Sequence, residues 1–296
     1  MNTLETNYDM IRRILVYVLV LNIVVVIGKM GVGFLSNSLS MISDSLHSLL
    51  DASSNIIGLI GINIARRKPD EGHPYGHTKY ASLATLSIAF LLVITAFEVF
   101  QGAISRFINP VTPEITLLNW IVMVVTISIN IFVSRFEKHK GIKLKSSILV
   151  ADSLHTNTDI YVSLSVIVSF ILIILGYPLF DPVISILIAL VIFYTGFSII
   201  SKMSGALTDS LVIPSDLIKK VVSNVPGVKG VHKIRSRGTD TECFIDLHVI
   251  VDSKLSVEEG HSISVKVEEN LKKAFPFIKD ATVHIEPFFE RGVKRG

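Results

Sequence analysis

Two short stretches of this chain pair an imidazole with a carboxylate at the same spacing, inside otherwise apolar sequence. Ser43 to Asp51 reads S-D-S-L-H-S-L-L-D, and Ala151 to Asp159 reads A-D-S-L-H-T-N-T-D. In each, a His precedes an Asp by four residues: His47 with Asp51, and His155 with Asp159. On a helix, positions i and i+4 share a face, so each copy presents one nitrogen and one oxygen ligand side by side. Two such helices packed together bring two nitrogens and two oxygens to one point, a tetrahedral set that Zn²⁺ accepts readily. Four polar side chains at membrane depth are expensive, and that cost demands a function. Asp44 and Asp152 precede each His by three residues, where they could tune protonation or cap hydrogen-bond networks.

Two further sets of ligand-type residues lie elsewhere. Lys68 to Lys79 reads K-P-D-E-G-H-P-Y-G-H-T-K, a compact Gly/Pro turn in which Asp70, His73 and His77 could gather around a cation. Of the nine histidines, four fall near the C-terminus: His232, His248, His261 and His284. In His284-Ile285-Glu286 the period of two puts His284 and Glu286 on one face of a strand. Taken alone, both sets read equally as ordinary surface histidines. His139 stands outside any cluster and reads as solvated.

The elements that must position these residues follow from the distribution of apolar sequence. The chain has 296 residues, 50% hydrophobic and 18% charged, and a mean hydropathy of +0.58. The apolar excess lies before residue 205, which divides the chain into 1–204 and a soluble-looking 205–296. Spanning a bilayer takes about 20 apolar residues. The qualifying segments are 12–34, 40–64, 81–104, 115–136, 146–175 and 180–202, a six-helix membrane domain. The second and fifth carry the duplicated motif, so they should face the bundle interior. Met1 to Arg13, acids and then two arginines, reads as the lead into a first membrane helix, not a removable signal.

Arg12, Arg13, Arg66, Arg67, Lys68, Lys79 and the run from Arg135 to Lys145 fall on one side of this arrangement. The opposite loops are nearly free of Lys and Arg, so the positive-inside rule puts both termini in the cytoplasm of a multi-pass cell-membrane protein. After Met203 the pattern becomes helix 214–225, strand 232–237, strand 243–251, helix 257–275 and strand 280–288. That order predicts a small α+β domain with helices on one face of a sheet. A net charge of +3 argues against a nucleic-acid partner, and the single cysteine, Cys243, excludes a disulfide framework or Cys-rich zinc finger.

Over nearly its whole length the chain resembles the cation diffusion facilitator family. The paired H-x-x-x-D motifs, the D-x-x-H-x-x-x-H loop at Asp70 to His77, and V-H-K-I-R-S-R at Val231 to Arg237 carry the likeness. The last is similar to the family's His-x-Leu-Arg-Thr-Arg signature. The resemblance implies a homodimer of six-helix protomers with metallochaperone-like, ferredoxin-like cytoplasmic domains, and three kinds of metal site. His47, Asp51, His155 and Asp159 fall on the transport site, and Asp70, His73 and His77 on the loop site. His232, His248, His261, His284 and Glu286 fall on a binuclear cytoplasmic site. Lys79 and Asp209 fall on a charge interlock of the transmembrane halves. His47 stands where the bacterial iron/zinc branch usually has Asp, and Glu286 where Asp is more usual. The His-rich loop of many eukaryotic members is absent.

The expected function is therefore export of a divalent transition metal, foremost Zn²⁺, in exchange for protons across the inner membrane, with regulatory metal in the tail. Fe²⁺, Cd²⁺, Co²⁺ and Mn²⁺ are alternative cargoes. A membrane-bound metal sensor and an intramembrane metalloprotease are the competing classes. No H-E-x-x-H motif supports the protease, and the chain is expected not to be an enzyme.

Overall fold

The computed structural model describes residues 3–35, 52–108, 117–174, 180–239 and 241–288. Its chain divides into two compact units, Met1–Ser204 and Gly205–Gly296.

The first unit is helical: α1 (Thr3–Leu35), α2 (Ser53–Ala65), α3 (Lys79–Ile108), α4 (Leu117–Leu144), α5 (Ser147–Ile174) and α6 (Phe180–Leu207). Within α1, α3 and α6, the segments Asn7–Gly31, Lys79–Ser105 and Pro182–Leu207 are long and apolar enough to cross a bilayer. These helices are apolar all round. On α1, Ile11, Ile14, Leu15 and Val18 are buried, while Tyr17, Val20, Val24 and Ile27 face outward. A helix in water would carry charge on that outer face; an apolar one belongs in lipid.

Leu15, Ile62, Ile88, Val133, Ile148 and Leu149 build one core across α1 to α5. Leu92, Ala96 and Ile192 set α6 against α3. Packing is close where side chains are small. At Gly61 on α2 a Cβ would stand 2.2 Å from the Cβ of Ala84 on α3, so glycine alone permits this approach.

The helix α4 runs on through Lys138, Lys140 and Lys143 to Leu144, past the apolar segment 115–136. Charge does not end a helix; a terminator does. Lys145 adopts a φ of 52°. The Ser146 N–H donates to the Gly141 carbonyl at 2.8 Å and the Lys145 N–H to that of Ile142 at 3.2 Å. These are the paired bonds of a Schellman motif, with lysine in the left-handed position glycine usually fills. Ser146 then caps α5, its hydroxyl accepting from the Leu149 N–H at 3.3 Å. The product is a tight α4–α5 hairpin.

The second unit holds α7 (Ser215–Ser223), β1 (Gly230–Gly238), β2 (Cys243–Val251), α8 (Val257–Ala274) and β3 (Ile278–Pro287). The strands form one sheet in the order β1-β2-β3, with β1 antiparallel and β3 parallel to β2. Ile245, Leu247 and Val249 of β2 pack on Ile218 and Val222 of α7 and on Ile263, Val267 and Leu271 of α8. By strand alternation, the even-numbered β2 residues therefore occupy the face without helices. The expected architecture, a helical membrane region followed by a small α+β domain, is the one observed. Cys243 is buried in the core; desolvation pushes its thiol up to about 11, against a weaker opposing bond at the Arg237 backbone.

Candidate metal sites

On α5, His155 is buried and Asp159 half-buried, one helical turn apart on a shared face. Their expected partners His47 and Asp51, and Asp44 beside them, lie outside the described residues. What the structure does give is a direct tie between α2, which follows the first motif in sequence, and α5, which carries the second. Asn55 of α2, four residues after Asp51, donates its Nδ2 hydrogen to Asp152 Oδ2, three residues before His155. Asn55 Oδ1 in turn accepts from Asn22 Nδ2 of α1 at 2.8 Å. Glu137 of α4 and Asp152 are both fully buried. Asn22, Asn55 and Glu137, with the buried Lys29 of α1, are polar residues the sequence motifs do not single out. For Asn55 the i+4 spacing from Asp51 is the available signal; Glu137 is hidden in a basic run.

The loop between α2 and α3 folds around Asp70. The His73 N–H donates to Asp70 Oδ1 at 2.7 Å, and the Gly76 N–H to the His73 carbonyl at 2.9 Å. Gly76 sits at φ +88°, which turns the chain back toward α3. His73 Nδ1 lies 3.6 Å from Asp70 Oδ1, and His77 Nε2 lies 3.5 Å from Asp70 Oδ2. The two rings are 4.3 Å apart. The backbone bond from His73 is the main cause holding the Asp70 carboxyl below its ordinary range, with the two imidazoles adding to it. Asp70, His73 and His77 thus form a compact three-ligand group, with every ligand atom within 4.8 Å of the others. His77 is buried, and His73 and Asp70 are exposed.

In the second unit the sheet register does the positioning. His232 pairs with His248 and His248 with His284, so three imidazoles stand in one row across the strands. Ring centroids are 5.3 Å apart for His232 and His248, and 4.5 Å for His248 and His284. Glu286, two residues along β3 on the same face, accepts from His232 Nε2 at 2.9 Å and from His248 Nδ1 at 2.7 Å. Those bonds, chiefly the one from His248, hold its carboxyl at about 2. His232, His248 and Glu286 each offer one ligand atom, and these three atoms lie within 4.8 Å of one another.

A bulge in β1 shapes the other end of this strand. The register shifts between His232 and Arg235, where Lys233 takes a φ of 49°. The extra residue turns Ser236 into the core, where its hydroxyl accepts from the N–H groups of Val212 and Ile213, each at 3.1 Å. His261 is exposed on α8, which covers the opposite face of the sheet, so one copy of the domain does not bring it to the row. Lys79 opens α3 in the first unit. Asp209, in the second, takes a φ of 58° in the turn that ends α6.

A lipid-facing helical bundle with a buried His and a half-buried Asp, joined to a soluble sheet carrying a His/Glu cluster, defines a membrane carrier of metal cations. Residues 15–208 match the cation efflux transmembrane domain, and residues 214–288 the cation efflux protein cytoplasmic domain. The chain belongs to the cation efflux, or cation diffusion facilitator, family, whose business is export of divalent metal cations. It is 32% identical over 280 residues to an uncharacterised transporter of Methanocaldococcus jannaschii, covering 93% of this chain and 98% of that one. It is 25% identical over 289 residues to the manganese efflux system protein MneP of Bacillus subtilis, covering 94% and 97%. Against metal tolerance protein 2 of Oryza sativa subsp. japonica it is 28% identical over 312 residues, covering 95% and 79%.

Proposed function

We propose that the chain is a Zn²⁺/H⁺ antiporter of the cytoplasmic membrane. It acts as a homodimer with both termini inside and exports Zn²⁺ through His47, Asp51, His155 and Asp159. The observation that carries this is the i+4 pair of His155 and Asp159, buried and half-buried on α5, on a helix bonded directly to α2. Ligation needs neutral imidazole and ionised carboxylate, so metal and protons compete for the same atoms. A site that holds one or the other, and opens to each side in turn, exchanges them.

The loop group Asp70, His73 and His77 and the cytoplasmic group His232, His248, His284 and Glu286 are metal sites in this reading. His261, on the opposite face of its own sheet, joins only as a ligand from a second copy. Metal in the tail tightens the dimer and biases the membrane helices toward one state.

One comparison favours a second cargo: the Bacillus subtilis relative is named a manganese efflux protein. The ligand chemistry favours zinc, since imidazole suits Zn²⁺ while Mn²⁺ prefers sites made of oxygen. Competition flux in proteoliposomes decides between them. Zn²⁺ uptake that withstands excess Mn²⁺ supports the zinc reading, and Mn²⁺ transported in preference overturns it.

A further inference from the structure

Glu137 and Asp152 come level because the α4–α5 hairpin bends at Lys145, about two helical turns from each. Both side chains are fully buried. Among the described residues no N–H or O–H donates to either oxygen of Glu137 or to Asp152 Oδ1. Asp152 Oδ2 accepts from Asn55 Nδ2, and the Ser54 hydroxyl also reaches this carboxyl. The Ser134–Ser153 bond on one side and the packing of Gly141 on Leu149 and Val150 on the other bracket the pair along the hairpin, so that the charge facing Glu137 is that of Asp152.

Among the described residues, the elements packed around the pair supply mainly dipoles, and α1 also carries the buried Lys29, about two helical turns beyond Asn22. From α1 comes Asn22, and from α2 come Ser54 and Asn55; further along the hairpin Thr85 of α3 is bonded to Ser147 Oγ at 2.9 Å. On α4, Ser134 donates to the Ser153 carbonyl at 2.9 Å. The one other titratable group near on α5 is His155, a turn further along. Two carboxylates so placed repel strongly in a low-dielectric interior, and a hydrogen bond between them exists only if one holds a proton.

We propose that Glu137 and Asp152 bind one proton between them, and that this pair is a proton site of the exchange cycle distinct from the metal ligands. The proton bridges Asp152 Oδ1 and a Glu137 oxygen, which leaves Oδ2 to hold Asn55 and, through it, Asn22. Removing the proton leaves two negative charges face to face and drives Glu137 away from Asp152. Proton occupancy is thereby coupled to the tie between α2 and α5, the helix that carries His155 and Asp159. The part in exchange rests on the antiport reading above; the shared proton does not.

The test uses the full-length chain in lipid, as wild type, Glu137→Gln and Glu137→Asp. Infrared difference spectra report protonated carboxyls, and Zn²⁺ flux with a pH dye inside proteoliposomes reports protons moved per ion. The wild type is expected to show a buried protonated-carboxyl band at neutral pH. Glu137→Gln loses the band while Glu137→Asp keeps it, displaced. Glu137→Gln also moves about one proton fewer per Zn²⁺, with the number of Zn²⁺ ions bound per chain unchanged. No band in the wild type, or a band indifferent to Glu137→Gln, overturns the shared proton. A band lost with the proton count unchanged overturns its part in exchange while antiport stands. Zinc flux without protons in the wild type removes the antiport reading and the exchange role with it, and the band still decides the shared proton. A Glu137→Gln chain that binds fewer Zn²⁺ ions makes the pair a metal site and overturns the proposal.

Discussion

Glu286 binds two imidazoles at once, through different oxygens, which makes it the centre of the cytoplasmic cluster. Its carboxyl is held at about 2 against an ordinary 4.5, first by the bond from His248 and then by His232. A depressed carboxyl contributes stability above its ordinary value, and that contribution is lost as pH falls from about 4.5 to about 2. Zinc binding by the tail should weaken as pH is lowered from neutral, with no separate step from Glu286 until well below 4.5. Glu286→Gln should weaken it by at least about tenfold at neutral pH, measured by calorimetry, without unfolding the domain. In the membrane, His47→Asp should admit Cd²⁺ and Fe²⁺ alongside Zn²⁺. A flux profile identical to wild type would count against His47 as a ligand.

At the scale of elements, two local devices can be tested directly. One is the capping box of α8, in which Ser256 Oγ accepts from the Glu259 N–H at 3.2 Å while Glu259 Oε2 accepts from the Ser256 N–H at 2.7 Å. Ser256→Ala should cost about 1 kcal/mol and lower the melting temperature of the cytoplasmic domain. The other is the close contact of α2 on α3 at Gly61. Gly61→Ala should destabilise the membrane unit by about 1–3 kcal/mol, seen as a lower detergent melting temperature.

Much of this level is legible in the sequence, because apolar runs and strand alternation are local. The turn at Lys145 is not, since its left-handed residue is a lysine and carries no glycine signal. Glu137 is missed for the same reason: apolar counting stops at residue 136, while the helix ends only where the Schellman bonds close it. The bulge at Lys233 and the placement of His261 also escape a sequence reading. Periodicity shows which residues share a face, but not which face a neighbouring helix covers.

The whole molecule joins two chemistries in two compact units, a helical one at Met1–Ser204 with membrane-crossing helices and an α+β one at Gly205–Gly296. The first carries the helix of His155 and Asp159, and the second carries the imidazole row. Family membership establishes metal-cation export; zinc as cargo and protons as counter-ion are the claims that need measurement. Zinc flux should be followed in proteoliposomes with a pH dye inside, for wild type and for Asp159→Ala. Wild type should move Zn²⁺ and protons in opposite directions. Asp159→Ala should abolish both movements while zinc binding to the cytoplasmic domain persists. Undiminished zinc flux in Asp159→Ala, or wild-type flux with no proton movement, would contradict this mechanism.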